Sequence, residues 1–261
     1  MRRSGLSSAP LSPPPTDPLA DGDADPEALD DGWVYAPPPG PVVVVHADRD
    51  LVVIDKPSGL LSAPGRGPAQ ADSALLRVHE RWPTAEPVHR LDLDTSGLLV
   101  FALRGKATRA LMAQLRDRSV DKRYLAWVDG APAAEAGEID LPLRRLVGQP
   151  RSVVDPSGRP SCTRWQVIER RAGATLLALE PQTGRSHQLR LHLRAIGHPI
   201  LGDRFYAPPD VISAAGRLLL HAAELRLLHP WSGAPLALRA PPGPDFTPKV
   251  SADPAISSAR G

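Results

Sequence analysis

The stretch Val88-His89-Arg90-Leu91-Asp92-Leu93-Asp94-Thr95-Ser96-Gly97-Leu98-Leu99-Val100-Phe101-Ala102-Leu103 constrains this chain more than any other. Between His89 and Asp94 it holds a histidine, an arginine and two carboxylates. A Thr-Ser-Gly turn signal follows, and then an unbroken apolar run. A run that short, bounded by turn residues, suits a buried strand. The polar cluster is thereby tied to the end of a core strand, a rigid support of the kind that functional side chains need. Residue types alone leave a plainer reading open, because Asp is a common turn former and Arg-x-Asp pairs are often solvated loops.

The pattern around this stretch mixes strands with a few helices. Val42 to Val45 and Leu51 to Ile54 are β-branched runs separated by a polar turn, which predicts two strands. Asp55 to Arg66 is a loop punctuated by Pro and Gly, and it carries Lys56. Asp72 to Trp82 has helical spacing, with Asp72 or Ser73 as N-cap. Gly105 to Arg118 is a second helix, with Ala107, Leu111 and Leu115 on one face and Arg104, Lys106, Arg109, Arg116 and Arg118 elsewhere on its surface. Asp121 to Gly130 reads as a strand with Tyr124, Ala126 and Val128 on one face. Residues 131–162 read as loop, and Arg164 to Ile168 and Ala174 to Glu180 as strands. A third helix follows Ser186, its predicted N-cap, and ends at Gly197 and Pro199.

Composition matters chiefly through its distribution. The formal charge of +2 conceals an acidic first forty residues, about −5, and a body of about +7. A basic body suits an anionic partner such as RNA, although so modest a charge also serves solubility alone. Residues 1–40 are rich in Pro and Asp and poor in large apolar groups, which predicts a disordered tail. Trp33, Val34 and Tyr35 are the exception there and are suited to docking on the domain. Pro241-Pro242-Gly243-Pro244 marks the end of a folded domain over 41–243, leaving 244–261 as a flexible tail. The single cysteine, Cys162, excludes an intrachain disulfide. No apolar run approaches the ~20 residues of a membrane span, and the first residues lack the apolar core of a signal peptide. The expectation is a soluble, cytoplasmic protein.

Four blocks carry a family resemblance. His-Arg-Leu-Asp-x-x-Thr-Ser-Gly-Leu-Leu, here from His89, resembles the signature of the RluA family of pseudouridine synthases. Lys56 to Arg66 resembles that family's Lys-Pro-Ser-Gly-Leu-Leu loop. Lys122, Tyr124, Ala126 and Gly130 match its Lys-x-Tyr-x-Ala strand, and Thr183 to Leu193 its Thr-Gly-Arg-x-His-Gln helix. Ile200 to Tyr206 and Arg217 to Ala222 continue the likeness. The resemblance implies an α+β fold with a mixed, mostly antiparallel central sheet, flanking helices and an active-site cleft. It implies isomerisation of uridine in RNA with Asp92 as nucleophile. It gives Tyr124 the role of packing on the target base, Arg190 that of an ion-pair partner for Asp92, and Arg90 that of displacing or holding the nucleotide. Lys56 is implied to face RNA beside the site. The reaction involves no redox step, so no cofactor and no metal are expected. The chain is expected to be a monomer whose partner is RNA, and no membrane is involved. Several strings, Arg185 to Asp210 above all, look closest to the dual-specificity member, which acts on 23S ribosomal RNA and a tRNA anticodon stem-loop.

Three other readings are weaker. A non-catalytic RNA-binding or ribosome-assembly factor on the same fold would have lost the aspartate, tyrosine or arginine, and all are present. A glycosidase built on Asp92 and Asp94 has no sequence basis for the carboxylate separation it needs. Metal ligation by His187 and His192 fails because residues five apart do not share a helix face.

Overall fold

The run Ser96–Ala102 is a strand in which every residue is buried, and the sheet extends outwards from it. The computed structural model describes residues 34–149 and 151–249. In chain order these form β1 (Val43–Ala47), β2 (Leu51–Lys56), α1 (Ala74–His79), β3 (Glu86–Pro87), β4 (Ser96–Ala102), α2 (Gly105–Arg116), β5 (Asp121–Asp129), β6 (Ala136–Asp140), β7 (Leu143–Arg145), β8 (Ser152–Val154), β9 (Cys162–Arg171), β10 (Ala174–Pro181), α3 (Gln188–Ala195), α4 (Pro209–Ser213), β11 (Leu220–Leu228) and β12 (Pro235–Arg239).

Ten strands make one sheet in the order β1-β2-β4-β11-β5-β10-β9-β6, with β3 added to β4 and β12 to β11. β7 and β8 form a separate ribbon. Each ladder is antiparallel except β4 with β11. The α+β reading therefore holds. β5 follows one edge of β11 from Leu220 to Arg226. The other edge of β11 pairs with β4 at His221 and Ala222 and with β12 from Glu224 onward. The sheet forks at this point.

Apolar periodicity explains how the helices cover the sheet. Ala107 and Leu111 of α2 pack with Leu51, Val53, Leu98 and Val100. Leu189 and Leu193 of α3 join Ala126, Val128, Leu177 and Leu179 in another core. Ser73 caps α1 by accepting from Leu76 N–H, as its position before the helix predicts.

The structure departs from the sequence expectations in four places. Residues 131–162 contain three short strands, which Pro and Gly break into pieces too brief to show a period. α3 begins at Gln188 rather than after a Ser186 cap; His187 takes the position before it with a left-handed backbone, and no side chain caps it. The reading of 1–40 as a tail lies mostly outside the described residues, but Tyr35 is buried, and its hydroxyl donates to Asp72 O and accepts from Leu61 N–H. Arg77 holds Pro38 and Gly40 through their carbonyls. At the other end Phe246 is buried in a core cluster and Lys249 N–H donates to Ala214 O, so packing continues past residue 243. An aromatic in a Pro-rich segment, Tyr35 at one end of the described residues and Phe246 at the other, is anchored in the folded body.

Gly97 is the tightest point of the fork. Its φ is +110°, and a Cβ there would sit 2.3 Å from Ala222 O and 2.6 Å from Ala222 N. Gly97→Ala must therefore push β4 away from β11 as well as adopt a strained backbone. It is expected to cost about 2–4 kcal/mol of stability, read as a lower urea midpoint at constant m-value.

Candidate active site

The segment before β4 is held by side chains from the loop after β2. Ser62 Oγ donates to Leu91 O and accepts from Leu91 N–H. Ser58 Oγ donates to Asp94 O. Thr95 N–H closes a turn on Asp92 O. On the near side, His89 Nε2 accepts from Val100 N–H of β4. Burial, with help from the Lys122 charge, pulls the His89 pKa down to about 3, so the ring stays a neutral acceptor. The turn carrying Asp92 is thus fixed by backbone contacts on both flanks.

Lys56 completes this support and corrects the expectation placed on it. It lies at the end of β2, not in a loop, and is 0% exposed. Its Nζ donates to Pro57 O (3.0 Å), Leu60 O (2.7 Å) and Leu93 O (2.9 Å). Those acceptors match the three N–H bonds of an ammonium. Burial pulls its pKa down to about 7, opposed by the Asp94 and Asp92 charges. A lysine enclosed in this way cannot touch RNA; it ties the Asp92 turn to the loop after β2.

The other expected residues converge on Asp92. A cleft of about 800 Å³ is lined by Arg90, Asp92, Tyr124, His187 and Arg190. Tyr124 comes from β5 and packs between two core clusters. Arg190 comes from the first turn of α3 and is 1% exposed. Its Nη1 donates to Asp92 Oδ2 at 3.4 Å. Its main partner, however, is a residue that the sequence reading did not single out. Nε donates to Asp203 Oδ2 at 2.9 Å and Nη2 to Asp203 Oδ1 at 2.8 Å. Asp203 Oδ1 also accepts from the N–H groups of Phe205 and Tyr206. The rings of Phe205 and Tyr206 flank the guanidinium at 5.0 and 5.2 Å. Two residues beyond Asp92, Asp94 pairs with Arg204 Nε at 3.0 Å. Arg190 thus stands behind the carboxylate and holds Asp92, with most of its own hydrogen bonding taken by Asp203.

One guanidinium between two carboxylates gives them opposite acidities. Burial pushes the Asp92 carboxyl above the usual carboxylate range, and Arg190 offsets only part of that. Burial acts on Asp203 in the same direction, but Arg190 and the Phe205 N–H outweigh it and hold that carboxyl below the usual range. Tyr124 is raised by burial and then by the Asp92 charge, so it remains a neutral phenol. The rim is basic: Arg116, Arg118 and Arg185 line the mouth of the cleft. Of the basic residues that the sequence put on this helix, only Arg116, at the end of α2, and Arg118, just beyond it, reach the cleft, while Lys106 lies over the Trp231 ring at 5.7 Å. Among the described residues the one group spaced to hold a metal ion is Asp48, Asp50 and His229, none of which lines this cleft. No helix of the described residues is long and apolar enough to cross a membrane.

A buried carboxylate under one fixed guanidinium, with a phenol on the next strand and a basic mouth, is an arrangement for nucleophilic chemistry on a group offered by a polyanion. The comparisons agree with it. A family model described as RNA pseudouridylate synthase matches residues 50–195. The chain is 47% identical over 212 residues to the dual-specificity RNA pseudouridine synthase RluA of Pasteurella multocida, covering 80% of this chain and 97% of that one. It is 46% identical to the protein of the same name from Escherichia coli K12, covering 79% and 96%. Among solved structures, human RNA pseudouridylate synthase domain containing 1 superposes with a TM-score of 0.68 at 27% identity, over 78% of this chain and 86% of that one. The chain belongs to the RluA family of RNA pseudouridine synthases.

Two measurements test the electrostatics. Lys56→Met strands three carbonyls and is expected to cost about 3–5 kcal/mol in urea unfolding. It should leave the salt dependence of RNA binding unchanged, whereas loss of a phosphate-contacting lysine would flatten it. Asp92 has a folded pKa above its unfolded value, so its contribution to stability is present below the ordinary carboxylate pKa and is lost as pH rises through the folded one. Asp92→Asn is therefore expected to raise Tm at pH 7.5, with the gain shrinking on acidification.

Proposed function

We propose that this chain converts selected uridines to pseudouridine in two kinds of structured RNA, 23S ribosomal RNA and a tRNA anticodon stem-loop, with Asp92 as the nucleophile. The reaction breaks the bond between N1 and C1′, turns the base, and joins C5 to C1′. C5 loses a proton and N1 gains one, so the balance is an isomerisation and no electrons are exchanged. The observation that carries this reading is the Asp92 carboxylate at the floor of the cleft, 3.4 Å from a guanidinium that another carboxylate locks in place. Arg190 favours the ionised form against burial, and a single long contact leaves the carboxylate little hydrogen bonding to lose when it attacks.

Each neighbour has a task that its environment allows. A stacked base must be flipped out to reach the floor of the cleft, at a cost of a few kcal/mol. Tyr124, neutral and held between two clusters, offers a face on which the base can stack, worth about 1–3 kcal/mol. Arg90 lines the cleft beside the nucleophile, where it can hold the displaced nucleotide. The rim arginines take phosphates, which makes binding salt-sensitive. The choice of two RNA classes is supported by relatives named as dual-specificity enzymes at 46–47% identity over about four-fifths of the chain.

The test is release of label from RNA carrying tritium at uridine C5. Wild type is expected to release it from both a ribosomal and a tRNA stem-loop, and Asp92→Ala to release none above background from either. Equal release by the two proteins would end the assignment of Asp92. Pseudouridine mapped in both RNAs from cells with and without the protein identifies the targets; a difference confined to one RNA would remove the dual specificity.

A further inference from the structure

His187 lies directly before α3 with φ 55° and ψ 21°, a left-handed backbone that is uncommon outside glycine. It is 7% exposed, stacked on Phe205 at 5.7 Å and edge-on to Tyr206 at 5.5 Å. Its Nε2 is 4.0 Å from Asp92 Oδ2, the oxygen that also faces Arg190. The chain of hydrogen bonds through Tyr206 selects one tautomer of the ring when the phenol donates onward. Ser152 N–H can only donate, and it does so to Tyr206 Oη at 3.0 Å. The Tyr206 hydroxyl proton then has one acceptor among the described residues, His187 Nδ1 at 2.6 Å. With the Tyr206 hydroxyl donating, Nδ1 accepts, and a neutral ring then carries its proton on Nε2, facing Asp92. Burial pushes the Tyr206 hydroxyl up to about 12, so it keeps the proton that this chain of bonds requires.

We propose that His187 is a positioning residue for the isomerisation: its Nε2–H, set by the chain from Ser152 through Tyr206, supports Asp92 Oδ2 beside Arg190. The other oxygen, Oδ1, is then the one that attacks; no donor stands on it among the described residues. This inference rests on Asp92 being the nucleophile. A neutral donor suits the place because a second cation would hold the carboxylate too firmly for attack. At 4.0 Å the contact is longer than a hydrogen bond, and it closes when the base fills the cleft, as contacts that mature in the substrate complex do. Because Ser152 belongs to β8, successive hydrogen bonds link the β7–β8 ribbon to the ring that stands beside Asp92.

The experiment is the pH dependence of single-turnover label release by wild type, His187→Asn, His187→Gln and Tyr206→Phe. Asn accepts a left-handed backbone but has no donor at the ε position; Gln places an amide N–H near it. His187→Asn is expected to lose about tenfold or more in kcat with little change in KM, and its acid limb should move up by about half a pH unit or more. His187→Gln should recover part of the rate and return the limb towards wild type. Tyr206→Phe frees the tautomer and should shift the limb in the same direction by less. The proposal is overturned if folded His187→Asn keeps its kcat within about twofold, or loses rate with its acid limb unmoved. If that variant does not fold, an unmoved limb in Tyr206→Phe overturns it. Wild type that releases no label would remove the reading of Asp92 and this inference together, whereas an active wild type with unmoved limbs in the variants removes this inference alone.

Discussion

The site depends on how one guanidinium is divided between two carboxylates. Asp203 takes the fork of Arg190 with two bonds of 2.8 and 2.9 Å and accepts two backbone N–H groups besides. Asp92 receives the remaining Nη1 at 3.4 Å. A bidentate, fully satisfied carboxylate is stabilised strongly and becomes inert. A carboxylate with a single long contact is only partly compensated, so burial holds its proton affinity, and with it its reactivity, above those of an ordinary carboxylate. The arginine could not hold this position without Asp203, because an isolated buried cation carries a large desolvation penalty. Asp203 thus fixes the cation, and the cation in turn sets the state of Asp92.

The sheet determines that these groups meet. Asp92 precedes β4, Tyr124 lies in β5, and β11 runs between those strands. β11 can pair with both only because Gly97 lets β4 approach the Ala222 backbone. α3 covers the β5–β10 side through Leu189 and Leu193, which orients Arg190 back towards the turn. Lys56 acts from beneath, fixing Leu93 O next to Asp92. The same short segment therefore receives support from the loop after β2, from α3, and from Arg204 on Asp94. Three separate parts of the chain limit its movement, as a reaction sensitive to sub-ångström placement requires.

What the residue pattern revealed, and what it hid, follows from the range of the interactions. Strands β2, β4, β5 and β10 and helix α2 were legible because burial on one or two faces imprints a local period. Asp92, Tyr124 and Arg190 were legible only because they stand in motif blocks of a known family; periodicity has no means of joining residues 98 positions apart. Lys56 was misread for a physical reason. A lysine beside Pro-Ser-Gly has the composition of a surface loop, and full burial of a lysine is rare enough that no local pattern signals it. Asp203 was passed over because Gly-Asp-Arg resembles an ordinary turn. The one available clue was that an arginine as central as Arg190 needs a second acid when it is buried. Phe246 shows the same limit from the side of packing, since a single aromatic in a Pro-rich stretch gives no period at all, whereas Tyr35 stood out through its place beside Trp33 and Val34.

With Asp92 as the proposed nucleophile, a carboxylate has to meet a negatively charged polymer, and the depth of the cleft answers that electrostatic difficulty. Asp92 is at the floor with its charge already shared with Arg190, and side-chain exposure is only 18%. Phosphates remain at the mouth, where Arg116, Arg118 and Arg185 lie. At physiological salt, charges separated by more than about 8 Å are largely screened through water, whereas a buried pair is screened much less. The backbone of an RNA therefore experiences the arginines of the rim, and only an uncharged base travels on to the carboxylate. Selection of a flipped nucleotide follows from this division, because a base still stacked in its helix brings its phosphates no nearer and leaves Asp92 facing an empty floor.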